Sequence, residues 1–156
     1  MAGTHFDGEG RARMVDVSAK PETLRAATAR GRVRMEKATL ARVTESGSSK
    51  GDVIAIAELA GIMAAKQTGT LIPLCHPIEL DSVSVKINPV AFLPGLDIIA
   101  EARCTGRTGV EMEAMTAVSV ACLTIYDMLK SIDREMVIEA VELVAKSGGK
   151  SGEWAR

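Results

Sequence analysis

Residues 81–104 read DSVSVKINPVAFLPGLDIIAEARC, two alternating runs that meet across a turn. Val83, Val85 and Ile87 alternate with polar neighbours from Asp81 to Asn88, and Leu96, Ile98, Ala100, Ala102 and Cys104 repeat the alternation. A period of two sends one set of side chains to a core and the other to solvent, as in a half-buried strand. Pro94-Gly95 supplies the turn signal, so the stretch predicts a β-hairpin.

Upstream, Gly31 to Lys37 alternates Val33 and Met35 inward with Arg32, Arg34 and Glu36 outward, which predicts a first strand. Thr39 is placed to cap a short helix through Glu45, ended by Gly47-Ser48-Ser49, and Asp52 to cap a second through about Lys66, with Gly69 as its stop. Downstream, Thr108 to about Lys130 reads as the longest helix and Met136 to Val144 as a last strand. The order β, α(α), β, β, α, β is the split βαβ pattern. It predicts an α+β, ferredoxin-like fold: a four-stranded antiparallel sheet with helices on one face. The expected organisation is a flexible N-terminal arm over residues 1–13 and one domain over 14–154. Ala114 to Tyr126 is apolar nearly all round, more than a lone pair of layers can hide, which calls for self-association.

With 156 residues the expectation is a single core. Nineteen Lys and Arg against twenty Asp and Glu leave a net charge of −1, without the basic footprint of a nucleic-acid binder. Aromatic residues are only 3%, too few for stacking platforms along a single strand. Cys75, Cys104 and Cys122 are widely spaced with no CxxC, which argues against a disulfide framework or a metal site and predicts reduced thiols in the cytoplasm. No apolar run marks a secretory signal in Met1 to Arg13. The charge-free run from Ala114 to Tyr126 is shorter than the ~17–25 residues that cross a bilayer, so no membrane partner is expected.

Candidate chemistry sits at both ends of the long helix. Thr108-Gly109-Val110-Glu111 has the spacing of a capping box, which gives Glu111 a structural task, while Glu113 points elsewhere and is free of it. Asp127 falls in the last turn, where the helix dipole disfavours a carboxylate, and Lys130 lies one turn on within ion-pair reach. Glu113 and Asp127 share a stripe within about 40° but stand roughly 21 Å apart along the axis. Either two sites exist or one site draws its parts from different chains; self-association favours the second.

Pro73-Leu74-Cys75-His76-Pro77 is a stiff, non-helical segment able to hold three amides and an imidazole in fixed positions. Two Gly/Ser stretches carry lysines: Lys50 in SSKGD, and Lys146 in KSGGKSG, where glycines let amides approach phosphate and an ammonium supplies the counter-charge. The second is not a P-loop, since Val144 stands where its first glycine would fall.

Taken together, KGDV at Lys50, AGI at Ala60, LIPLCHP at Leu71, TGVEMEA at Thr108, LTIYDM at Leu123 and AKSGGKSG at Ala145 closely resemble the cyclic pyranopterin monophosphate synthase family of molybdenum cofactor biosynthesis. The resemblance runs from about Met14 to Trp154. It implies a ferredoxin-like enzyme, a lyase that converts 3′,8-cyclised 7,8-dihydroguanosine 5′-triphosphate to cyclic pyranopterin monophosphate and releases diphosphate, with no redox cofactor. It further implies a homohexamer, a trimer of dimers, with sites between subunits. By motif, Asp127, Lys130 and Lys50 become catalytic, and Leu74, Cys75, His76, Met112, Glu113 and Lys146 become substrate-binding. Glu58 occupies a helix position that is often basic in that family, and no anion role is expected of it. The competing reading is a non-catalytic oligomeric nucleotide-binding module using the same lysines.

Overall fold

The computed structural model describes residues 5–45 and 52–156. Strand β1 (Thr23–Arg34) leads into α1 (Lys37–Thr44), then α2 (Val53–Ala65) and the short α3 (Thr68–Leu71). The hairpin β2 (Ser82–Val90) and β3 (Gly95–Gly106) follows, then α4 (Glu111–Leu129), β4 (Val137–Ser147) and a two-residue β5 (Trp154–Ala155). The sheet runs β2-β3-β1-β4-β5 with every pairing antiparallel. Its first four strands have the expected split βαβ arrangement; β5 adds a fifth by pairing Lys146 with Trp154 and Ala145 with Ala155.

Helices cover one face. Ala114, Ala117, Val118, Ala121 and Ile125 of α4 are fully buried in the core that also holds Ala29, Val33, Leu96 and Ile98 of the sheet. Small residues let α4 lie close: a Cβ on Gly31 would stand 2.5 Å from Val118 Cγ1. With 19 residues, α4 is long and apolar enough to cross a membrane by length and composition alone, which a count of its charge-free centre misses. Its inner face is spent on the sheet. The opposite sheet face carries charges in cross-strand pairs, Arg30 with Glu142 at 2.5 Å and Arg32 with Asp97 at 2.9 Å. Each pair has one partly covered and one more exposed partner and stays in contact with water, so each is worth little, ~1 kcal/mol.

Several local expectations are corrected. β1 begins at Thr23, eight residues before Gly31, and stops at Arg34, because Lys37 already opens α1. Thr39 does not cap α1; Glu36 occupies the cap without a side-chain bond, and the Thr39 hydroxyl donates to Asp133 instead. Asp52 caps α2 as expected, accepting the Ala55 N–H at 2.9 Å. That helix ends at Ala65 with Lys66 as its C-cap, and Gly69 lies inside α3 rather than stopping α2. No capping box forms on α4: the helix opens only at Glu111, so Val110, which has no polar side chain, is its cap residue, and the Glu111 carboxylate pairs with Lys146 instead. Gly47-Ser48-Ser49 and Lys50 fall outside the described residues.

Residues 5–13 double back as a small hairpin, with Phe6 bridged to Ala12 and the Arg13 N–H donating to His5 O at 2.9 Å. The Asp7 carboxylate closes its turn by accepting the Glu9 and Arg11 amides at 2.9 and 2.8 Å.

Candidate functional site

The proline-framed segment leaves α3 through a turn in which the Cys75 N–H donates to Ile72 O at 3.1 Å. It thereby faces the first turn of α4. Leu74, Cys75 and His76 line one cavity of about 280 Å³ together with Met112 and Glu113. Val15, Val17 and Lys20 add a wall from the chain that precedes β1. Near its rim the Asp16 carboxyl is held below its ordinary range by the Ser18 backbone amide and side chain, with Arg13 and His76 adding attraction.

Glu113 is 3% exposed. Burial pushes its carboxyl up to about 7, its own backbone amide opposes the shift, and the neighbouring Glu111 carboxylate adds to it. A carboxyl so placed both holds and releases a proton near neutral pH. The Cys75 thiol is pushed up by burial and by Glu113, which makes it a poor nucleophile and a fair wall.

Beside this cavity, Lys146 on β4 reaches Glu111: Nζ lies 3.0 Å from Glu111 Oε1 and 2.9 Å from Ser151 Oγ. Gly148 and Gly149 follow at φ +93° and +73°, a conformation that L side chains rarely adopt. A Cβ on Gly148 would strike the Leu24 carbonyl, and one on Gly149 the Arg25 guanidinium. The glycine loop therefore wraps onto the start of β1, where Arg25 Nε donates to Gly106 O at 3.2 Å.

At the far end of α4, Lys130 Nζ lies 2.5 Å from Asp127 Oδ1, with both side chains mostly exposed. The hydrogen bond that Lys130 donates to Asp127, and the charge of that carboxylate, hold the Lys130 ammonium above its ordinary range. A rise of ~1.5 Å per residue keeps Asp127 roughly 21 Å from Glu113. The fold thus brings together Leu74, Cys75, His76, Met112 and Glu113 and, through Glu111, Lys146. It leaves Asp127 and Lys130 apart from them, and Lys50 lies outside the described residues.

Sequence reading missed Glu111, Lys20 and Arg25. Glu111 was assigned to a cap, and only a contact across 35 residues reveals its pairing with Lys146. Arg25 could have been found had β1 been extended, since the neighbouring Ala26 and Ala27 pair with Ser147 and Lys146. Glu58 accepts the Ile87 N–H at 3.0 Å, a structural task that accounts for an acid at that position.

A small α+β fold with a polar cavity at one end of its longest helix and an acid–lysine pair at the other defines a class that comparison makes specific. The chain belongs to the MoaC family, which matches residues 14–149. A protein of Brucella ovis named cyclic pyranopterin monophosphate synthase is 60% identical over 152 residues, covering 97% of this chain and 92% of its own length. The Brucella melitensis biotype 2 protein of the same name matches to the same extent, and that of Brucella canis is 59% identical over the same coverage.

Proposed function

We infer that this chain catalyses the cyclic pyranopterin monophosphate synthase reaction of molybdenum cofactor biosynthesis, as its relatives' name states of them. The substrate is a guanosine 5′-triphosphate already cyclised between its 3′ carbon and C8, and the products are the cyclic pyranopterin phosphate and diphosphate. The observation that carries the site assignment is the length of α4, which holds its cavity end and its Asp127–Lys130 end roughly 21 Å apart on one rigid rod. One small substrate reaches both only when a second copy supplies the far end.

Exposed apolar residues support that association. Ile56, Leu59 and Met63 form a stripe at helical spacing on α2, and Leu123 is likewise exposed on α4. The assembly proposed is a homohexamer, a trimer of dimers, working in the cytoplasm.

In that arrangement the cavity takes the ring system. His76 and the Leu74 and Cys75 backbone hold its polar edge, Met112 packs on it, and Glu113 exchanges a proton with a ring nitrogen. Lys146 and Lys50 take the triphosphate, because charge that builds on the departing diphosphate needs cations beside it. Asp127, ion-paired with Lys130, moves the protons that ring rearrangement requires.

The test is diphosphate release from the cyclised nucleotide by the purified protein, followed by subunit mixing. Asp127→Asn and His76→Ala are each expected to be inactive. Reassembled together in equal amounts they should regain about a quarter of wild-type turnover, since half of the pairs are mixed and each mixed pair holds one intact site. No release by the wild type defeats the activity and leaves a binding module; release without recovery on mixing defeats the shared site.

A further inference from the structure

Asp133 is a carboxylate that no step above uses. It lies in the turn between α4 and β4 and is 6% exposed. Its Oδ2 accepts the Glu36 N–H and the Thr39 hydroxyl, each at 3.0 Å, and its Oδ1 accepts the Glu135 N–H at 3.0 Å. Among the described residues, these three donors are uncharged. Its own N–H closes the end of α4 by donating to Leu129 O at 3.1 Å, and one turn earlier the Tyr126 hydroxyl donates to Arg134 O at 3.3 Å.

Three segments therefore converge on one buried group. Glu36 is the cap residue of α1 and offers no side-chain cap of its own, so Asp133, 97 residues away in sequence, caps that helix and places a negative charge at its positive end. Three residues before Asp133 stands Lys130, paired with Asp127, and three residues beyond it the chain has passed Glu135 on its way into β4, the strand that carries Lys146. Burying a carboxylate is costly unless its acceptors are filled, and among the described residues they are filled by donors from segments that adjoin the Asp127–Lys130 turn.

We propose that Asp133 is a positioning residue for the reaction: its carboxylate fixes the Asp127–Lys130 turn against the start of α1, and so sets the geometry of the acid–base and cationic groups without touching substrate. This rests on the assignment of Asp127 made above. An angstrom of drift at such groups costs far more in turnover than in binding.

The test compares Asp133→Asn, Thr39→Val and Thr39→Ser in the full-length oligomer, with Ile87→Val as a core variant of similar stability loss. In Asp133→Asn, an amide NH₂ faces at least one of the three donors. The expected result is a kcat lower by about tenfold or more with KM within about threefold of wild type, at unchanged oligomeric state. Thr39→Val loses part of kcat and Thr39→Ser, which keeps the hydroxyl, restores it, while Ile87→Val stays at wild type. Should Asp133→Asn fail to fold, the Thr39 pair decides: wild-type kcat in both overturns the proposal, as does a kcat for Asp133→Asn equal to that of Ile87→Val. Asp127→Asn runs alongside. If it is inactive while the Asp133 and Thr39 variants are unaffected, only the positioning role falls; if it is fully active, the assignment of Asp127 falls and takes this proposal with it.

Discussion

Lys146 and Glu111, residues 35 apart in sequence, meet at 3.0 Å where β4 passes the first residue of α4. Both side chains are about a quarter to a third exposed, so the pair is screened and adds little to stability, ~1 kcal/mol or less. The carboxylate holds the ammonium beside the cavity. Lys146→Ala is expected to leave the denaturant midpoint almost unchanged and to raise KM for the triphosphate by about tenfold or more. Steady-state kinetics beside urea unfolding check it, and an unchanged KM would remove Lys146 from the site.

Glu113 makes stability depend on pH in the direction opposite to a salt-bridged acid. Burial raises its carboxyl from 4.5 to about 7, so the folded protein favours the protonated form. The contribution is full below the unfolded value of 4.5, is lost as pH rises through the interval up to about 7, and amounts to about 3 kcal/mol at most. Glu113→Gln should therefore flatten the stability profile between these pH values and be the more stable form above the upper one. Unfolding midpoints at mildly acidic and mildly alkaline pH measure the difference.

The glycine loop carries its own strain test. Gly148 and Gly149 both have positive φ and both lack room for a Cβ, against the Leu24 carbonyl and the Arg25 guanidinium. Gly148→Ala is expected to cost about 1–3 kcal/mol, and Gly149→Ala less, because a guanidinium yields more readily than a backbone carbonyl. Thermal unfolding ranks the two, and diphosphate release should fall in the same order.

Asp127 raises the pKa of the Lys130 ammonium through a hydrogen bond and its charge. In Asp127→Asn the ammonium should titrate at lower pH, seen by NMR on the labelled lysine side chain. Both groups are mostly exposed, so no measurable change in folding stability accompanies it.

What could be read from sequence follows from how local its causes are. The β2–β3 hairpin was legible because large apolar residues alternate with polar ones there, and the register from Val90 with Gly95 to Ser82 with Arg103 bears the reading out. The first half of β1 was not, because its inward positions are Ala27, Ala29 and Gly31, small residues chosen by the closeness of α4 rather than by hydrophobicity. The failed caps have the same origin. Thr39 and Glu111 were read through neighbours three residues off, whereas their partners, Asp133 and Lys146, come from 94 and 35 residues away. The cavity was half legible: its proline-framed wall announces itself, but Val15, Val17 and Lys20 reach it only through tertiary folding.

The outer strands of the sheet are poor templates for a stranger's backbone. β2 carries Pro89, which offers no amide, and β4 is kinked at Ala140, held at φ 54° where its register against β1 slips. Where β4 straightens again, Trp154 and Ala155 of β5 occupy Lys146 and Ala145. A sheet guarded this way resists growing sideways into fibrils or swapping its margin with another molecule. The same four-residue clasp that keeps the margin closed also pins the backbone of the lysine beside the cavity, so one pairing serves both the edge of the sheet and the wall of the pocket.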